Sequence, residues 1–325
     1  MNRALYGVER FVRNTVQRAT VGIPLAEETK VEIPLTRIYG QSPEPKVVIV
    51  SGVHGDELVG PHALIELAQV LDPGELRGTV VLAPSANPLA FAAGLRKAPE
   101  DDLDLNRIFS GKRGGSATER IASTLVREAI GDADIVIDLH SAGREGDLLP
   151  LSGFREASDG CARRSALAAA AFGLEHYWMM RWAPGTLSTW ANEQGIPAVG
   201  CEVGGRGMAT REQIDLYKDG IRRCLRHLGM LDPPLEVAMP PKVWTQEHLT
   251  APCGGLLELL VGLGDEVQSG ETLARVRHLN GSVRGEITAP HCGTIMYTRV
   301  LHSVAEGENV FWLGRKEDNP CYSSS

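Results

Sequence analysis

Lys46-Val47-Val48-Ile49-Val50-Ser51-Gly52-Val53-His54-Gly55-Asp56-Glu57-Leu58 is the stretch whose reading decides the rest of this chain. Val47 to Val50 is β-branched throughout, which suits a strand buried on both faces of a parallel sheet. A glycine-flanked turn follows, carrying His54 and Glu57, and then a helix begins. Polar groups at the end of such a strand sit where α/β sheets place their ligands, outside the carboxyl edge. An imidazole and a carboxylate three residues apart can bite one cation if the turn folds them together. Zinc accepts nitrogen and oxygen ligands of this kind, and a catalytic site uses three of them plus water. His-x-x-Glu also occurs by chance in many chains. The remainder of the sequence must therefore supply a third ligand, a base and a substrate clamp.

The bulk properties narrow the field. The chain has 325 residues, 43% hydrophobic and 23% charged, the composition of an ordinary soluble globular protein. That length permits one large domain with an appendage, or two medium domains. A formal net charge of −8 argues against nucleic acid or an anionic membrane as the main partner. Met1 to Asn14 holds arginines but no apolar run, so no signal peptide is expected, and no stretch approaches a membrane span. The six cysteines (161, 201, 224, 253, 292, 321) contain no Cys-x-x-Cys pair. Their scatter favours neither a disulfide scaffold nor a thiolate zinc site and fits a reducing cytoplasm.

Outward from the opening stretch, the pattern alternates strand and helix. Residues 1 to 24 read as an N-terminal arm, and Val31 to Arg37 as a strand at a sheet edge, since Pro34 cannot donate to a ladder. Leu58 to Leu71 has apolar residues at helical spacing, and Gly78 to Leu82 is a short buried strand. Ser116-Ala117-Thr118-Glu119 is a capping box opening a helix to about Ile130. Ile135 to His140 is a buried strand ending in a histidine. Ala157 to Phe172 is an alanine-rich helix with Gly173 as its C-cap, and Thr186 to Gln194 a shorter one. Ala198 to Val203 is the next strand, and a second capping box, Thr210 to Gln213, opens a helix to about Leu228. The prediction is an α/β domain with a mainly parallel sheet over residues 1–235.

Beyond Leu231 the texture changes to proline linker and glycine-rich β-like runs, predicting a small all-β domain over 236–315 and a frayed tail over 316–325. It holds an internal repeat. Ala251-Pro252-Cys253-Gly254-Gly255 leads to Gly264-Asp265-Glu266, and Ala289-Pro290-His291-Cys292-Gly293 leads to Ser303-Val304-Ala305-Glu306. Two such halves resemble the barrel-sandwich of lipoyl and biotinyl carriers. Those carriers need a lysine at a hairpin tip, and none lies between Lys242 and Lys316. A lid or assembly domain is the better reading.

His140 is the natural third ligand, because it ends a buried strand as the His54 turn does. Asp138, two residues back on the same strand face, is either a group behind the ligands or a structural acceptor. At this point four ordered motifs stand together: His54-Gly55-Asp56-Glu57, Asp104-Leu105-Asn106-Arg107-Ile108-Phe109, Asp138-Leu139-His140-Ser141 and Glu202-Val203-Gly204-Gly205. As a set they resemble the succinylglutamate desuccinylase/aspartoacylase family, over about residues 30 to 315.

The resemblance implies a zinc carboxypeptidase-like fold and one Zn²⁺ per chain, held by His54, Glu57 and His140. It implies Glu202 as general base and Asn106 and Arg107 as the pair binding a substrate carboxylate, for which a guanidinium fork is suited. Arg96 is the candidate for holding the developing oxyanion. Its ten-residue spacing to Asn106 resembles the N-acetyl-diaminobutyrate deacetylase-like branch. The sequence departs from that pattern at Arg206. It also concentrates aromatic and cationic groups in Tyr177-Trp178-Met179-Met180-Arg181-Trp182, which either pack or shape the pocket. Glu145 and Asp147 either hold a cationic substrate end or form a solvated loop.

The expected activity is zinc-dependent hydrolysis of a small N-acylated amino acid or related amine, in a protein free to form homo-oligomers. A metallocarboxypeptidase or zinc esterase uses the same chemistry, and a non-catalytic zinc binding module is the reading from a different class.

Overall fold

A computed structural model of the chain describes residues 11–25, 30–156 and 160–321. The first two-thirds contribute strands β1 (Thr15–Pro24), β2 (Lys30–Tyr39), β3 (Lys46–Ser51), β4 (Thr79–Ala83), β5 (Ile135–His140), β6 (Gly146–Leu148), β7 (Leu151–Arg155), β8 (His176–Met180) and β9 (Ala198–Glu202). Between them run helices α1 (Val59–Val70), α2 (Pro88–Ala93), α3 (Ala117–Leu125), α4 (Gly160–Phe172) and α5 (Leu187–Glu193), with α6 (Arg211–His227) after the last strand. β4, β3, β5 and β9 are parallel neighbours in that order.

The valine run explains why helices cover both faces. Val47 and Ile49 enter one core with Leu64 and Leu67 of α1, Phe172 of α4 and Tyr217 of α6. Val48 and Val50 enter the other with Ile121 and Leu125 of α3 and Leu187 and Trp190 of α5. All four residues are fully buried. Strand side chains alternate between faces, so only an apolar residue at every position satisfies both layers. Ser116 and Thr210 start α3 and α6 with reciprocal capping boxes, as their sequences predict.

Several sequence expectations need correction. Thr15–Pro24 is no loose arm; it pairs antiparallel along the whole of β2 and forms the sheet edge. Pro34 lies outside the stretch Thr36–Tyr39 that pairs with β4, so its missing N–H breaks no ladder there. Residues 1–10 of that arm, and 157–159 at the start of the alanine-rich helix, fall outside the described residues. β6, β7 and β8 were not anticipated. β7 turns the sheet antiparallel to β9 and then runs parallel to β8.

The remaining strands are β10 (Lys242–Thr250), β11 (Gly255–Leu259), β12 (Glu266–Val267), β13 (Thr272–Arg277), β14 (Val283–Thr288), β15 (Gly293–Arg299), β16 (Ser303–Val304) and β17 (Asn309–Asp318). Trp244 of β10 pairs with Trp178 of β8, so the large sheet continues through β10, β17, β15 and β12. β14, β13, β11 and β16 form a separate four-stranded antiparallel sheet. The repeat puts its two copies on opposite layers, one before β11 and one before β15. Leu257, Leu273 and Ile287 of the small sheet share a core with Ile295, Phe311 and Leu313 of the large one. The tail predicted from 316 is also corrected. β17 runs to Asp318, and the buried Asn319 donates its backbone N–H to Pro241 O (2.9 Å) and its amide to Pro240 O (2.8 Å). Residues 322–325 of the predicted tail fall outside the described residues.

Candidate active site

The parallel pairing brings the polar strand ends to one edge. β3 lies beside β5, and His140 is in register with Glu202 across β5 and β9. The turn after β3 is held tightly. Gly55 donates to Leu95 O (2.8 Å), and a Cβ on Gly55 would lie 2.0 Å from the Ala90 carbonyl. Gly55→Ala is therefore expected to cost at least about 1–3 kcal/mol, the range for overpacking. A urea titration showing unchanged stability would contradict this packing.

His54, Glu57 and His140 meet here, 3%, 3% and 7% exposed, with one ligand atom from each within 4.8 Å of the others. Glu57 sits between the rings. Its Oε1 is 2.6 Å from His54 Nδ1, its Oε2 is 2.9 Å from His140 Nδ1, and Ser141 N–H donates to Oε2 at 3.1 Å. Burial alone would push the Glu57 carboxyl up; the charges of His54 and His140 and hydrogen bonds with both rings outweigh it and hold it well below the usual range. His140 is shifted the other way. Its burial disfavours the charged ring, but Asp138 and Glu57 raise it well above an ordinary histidine.

The far side of each ring is also occupied. His54 Nε2 lies 3.2 Å from Asp104 Oδ1, and His140 Nε2 lies 3.0 Å from Asp138 Oδ2. Both histidines thus turn Nε2 to a carboxylate and Nδ1 toward Glu57. Metal-ligating histidines show this pattern, because the outer carboxylate fixes the tautomer and raises ring basicity. The donor set, two imidazoles and one carboxylate, is of the kind zinc accepts. Tyr217, fully buried, donates its hydroxyl to the His140 carbonyl and anchors the strand end.

Around this group lies a cavity of about 1010 Å³. Glu202 lines it, and its carboxylate makes no hydrogen bond or ion pair with any described residue. Burial pushes the Glu202 carboxyl up to about 8, with His140 and Arg96 drawing it down and Glu57 and Asp138 pushing it further up. Arg96 also lines the cavity, with Nη2 3.0 Å from Asp104 Oδ2 and Nη1 3.4 Å from His54 Nδ1. Asn106 is buried; its Oδ1 accepts Leu187 N–H at 2.8 Å, and its Nδ2 is 3.3 Å from His140 Nε2. Arg107 is exposed and donates Nη1 to the Asn106 carbonyl at 2.7 Å. Every site residue expected from the sequence, from His54 to Glu202, lines this one cavity.

Other expectations divide. Trp178, Met180 and Arg181 line the cavity, whereas Tyr177 donates to Ala166 O (2.8 Å) on the core side. Arg206 does not line it and pairs with Asp147 at 2.7 Å, and Glu145 pairs with Arg299 at 3.2 Å. The two acidic groups are thus engaged by arginines. Sequence reasoning left Asp104 without a role, although its place at the head of the Asp-Leu-Asn-Arg block was a usable signal. It missed Arg155 on β7, and it missed the wall made by Gln246, His248, Tyr297 and Trp312. Trp312 is stacked between His248 (4.9 Å) and Tyr297 (5.0 Å), and Trp178 donates its indole N–H to Gln246. These residues carry no motif and reach the site because β10 joins β8 and β15 joins β6.

A mixed α/β sheet flanked by helices thus carries a His-Glu-His group beside the carboxyl ends of its parallel strands, and the comparisons supply the family. Residues 43–228 match the succinylglutamate desuccinylase/aspartoacylase catalytic domain, and the chain belongs to that family of amide-hydrolysing deacylases. It is 32% identical to the N-alpha-acetyl-L-2,4-diaminobutyric acid deacetylase of Halomonas elongata, over 92% of each chain. Among solved structures it resembles the product-bound ectoine utilization protein EutE (DoeB) from Ruegeria pomeroyi, at 29% identity with a TM-score of 0.85, covering 94% of this chain and 97% of that one. It also resembles the succinylglutamate desuccinylase/aspartoacylase of Rhodobacter sphaeroides, at 27% identity with a TM-score of 0.87, covering 97% and 99%. The six cysteines form no disulfide, and among the described residues no helix is long and apolar enough to cross a membrane.

Proposed function

We propose that this protein is a zinc-dependent amidohydrolase that removes the acyl group from a small N-acylated amino acid. The observation that carries this reading is the group of His54, Glu57 and His140, each ring backed by its own carboxylate, beside a half-buried Glu202 whose carboxylate has no partner among the described residues. His54, Glu57 and His140 would hold the metal. Bound there, zinc would supply Lewis-acid polarisation of the carbonyl and a water acidic enough to act near neutral pH. Glu202 takes the proton from the attacking water and delivers it to the leaving amine; a carboxyl raised by burial suits both halves of that transfer. Arg96 stabilises the carbonyl oxygen as negative charge develops on it, held in place by Asp104. Arg107 takes the substrate carboxylate, with Asn106 beneath it. Walls on both sides of the cavity favour a small substrate over a peptide.

The test is a panel of N-acyl amino acids, including N-α-acetyl-2,4-diaminobutyrate, offered to the zinc-loaded protein with amine release as the readout. Failure to release amine from any member sinks the reading. The outer carboxylates give a second check. Asp104→Asn and Asp138→Asn are each expected to weaken zinc affinity about 10- to 100-fold, measured by competition with a chromogenic chelator. Parental affinity in both variants would show that these carboxylates do not support the ligands.

A further inference from the structure

A second cavity, of about 340 Å³, shares no lining residue with the first. It lies along the seam where β10 meets β8. One residue pair, Trp244 with Trp178, joins those strands, so their backbones are unpaired with each other to either side of it. Ala169 and Ala170 of α4 and Leu174 just after it line the cavity from the helix side of the chain. Trp244 of β10, with Pro240 and Pro241 before it, lines it from the strand side. Pockets for small molecules begin at about 300 Å³ and are mostly apolar with a few placed polar groups. This one fits that description.

Its charged side chains are Glu175, Lys242 and Lys316. Lys242 is spent on Asp318 at 2.5 Å. The side chains of Glu175 and Lys316 form no hydrogen bond or ion pair with any described residue. Lys316 is in register with Trp244 across β10 and β17, and its Nζ lies 4.8 Å from the centre of that ring. A ring face attracts an ammonium but leaves its three N–H donors unused. An ionised carboxylate only accepts, so Glu175 has its acceptors to spare. The nearby hydroxyls are already engaged: Ser152 donates to Ala169 O at 3.0 Å and Tyr177 to Ala166 O at 2.8 Å. One free cation and one free carboxylate therefore share an apolar cavity.

We propose that this cavity is a binding site for a free α-amino acid with an apolar side chain. The ligand's carboxylate meets the Lys316 ammonium, its ammonium meets the Glu175 carboxylate, and its side chain lies against Leu174, Ala170 and the Trp244 ring. A simple carboxylic acid would face a like charge at Glu175, and a simple amine would face one at Lys316. Only a ligand carrying both charges satisfies both groups. Touching α4 and β10 together, it braces a seam that a single strand pairing holds. The site is independent of the amide chemistry in the first cavity.

The test is equilibrium dialysis of the zinc-loaded full chain against radiolabelled L-leucine. Saturable binding with a Kd of about 1 mM or tighter is expected. Glu175 and Lys316 are both exposed, so Glu175→Gln and Lys316→Gln should keep the fold. Each should weaken binding about fivefold or more, the scale of one charge-assisted hydrogen bond near the surface. Competition by 4-methylpentanoate, which lacks the ammonium, and by L-leucinamide, which lacks the carboxylate, should be weaker than by unlabelled leucine by a similar factor. Hydrogen exchange locates the ligand. Leucine should slow exchange in peptides covering 169–177 and 240–244 of the parent, and not in Lys316→Gln. No saturable binding, an affinity untouched by either substitution, or either analogue competing as well as leucine would overturn the site. Protection confined to peptides covering 54–58 and 138–144 would overturn it as well, by placing leucine in the first cavity.

Discussion

Glu202→Gln in the zinc-loaded protein is expected to lower kcat about 10²- to 10⁴-fold, the contribution of a positioned general acid–base. Zinc content and thermal stability should stay near the parent values. The amide keeps the shape of the side chain but can no longer accept the water's proton. The contrast is clean because the Glu202 carboxylate makes no hydrogen bond or ion pair with any described residue, so the substitution breaks no side-chain contact of that kind. Its Cα lies in register with that of His140, which places it beside the metal group without making it part of it. Activity within about threefold of the parent at full zinc occupancy would remove Glu202 from the chemistry.

Glu57→Gln is expected to act one step earlier, by emptying the metal group. The loss of zinc affinity should exceed the roughly 10- to 100-fold set for the outer carboxylates, and hydrolysis should fall with zinc content. Chelation of the parent should reproduce that loss, and added zinc should reverse it in the parent only. The physical reason is geometric. One carboxylate faces both Nδ1 atoms, at 2.6 and 2.9 Å, and also accepts the Ser141 N–H, so no neighbour can take its place. The metal-free variant should also lose roughly 3–5 kcal/mol of stability, the cost of breaking a buried charge pair, readable by urea titration. A Glu57→Gln protein that binds zinc as tightly as the parent would show that the three side chains are a hydrogen-bonded cluster rather than a ligand set.

Much of this site was legible in the chain because its determinants are local. Val47 to Val50 and Ile135 to His140 are strands by composition alone, and each delivers a histidine at or just past its end. Gly55 permits the tight turn that brings Glu57 back to His54. Asp104, Asn106 and Arg107 sit in one short block, so their mutual placement was already implied. What remained hidden depends on pairings between distant residues. The edge position of Thr15–Pro24 is set by its ladder with β2, and the strand character of His176 to Met180 by β7 and β10 on either side. No local pattern announces either.

The strand ends that carry His54, Glu57, His140 and Glu202 and the α/β core were thus determined by the sequence itself, since strand burial and turn chemistry are properties of a few adjacent residues. Only the tertiary structure decided which charges face the substrate. Arg206, conspicuous in the sequence, is spent on Asp147, while Arg155, inconspicuous in it, is left without a counter-charge in the cavity. The far wall was likewise decided by the fold, because β10 joins β8 at Trp244 and Trp178 and β15 joins β6 over Gly146–Leu148. Charge balance and cavity shape are sums over residues far apart in the chain, and such sums exist only once the chain has closed on itself.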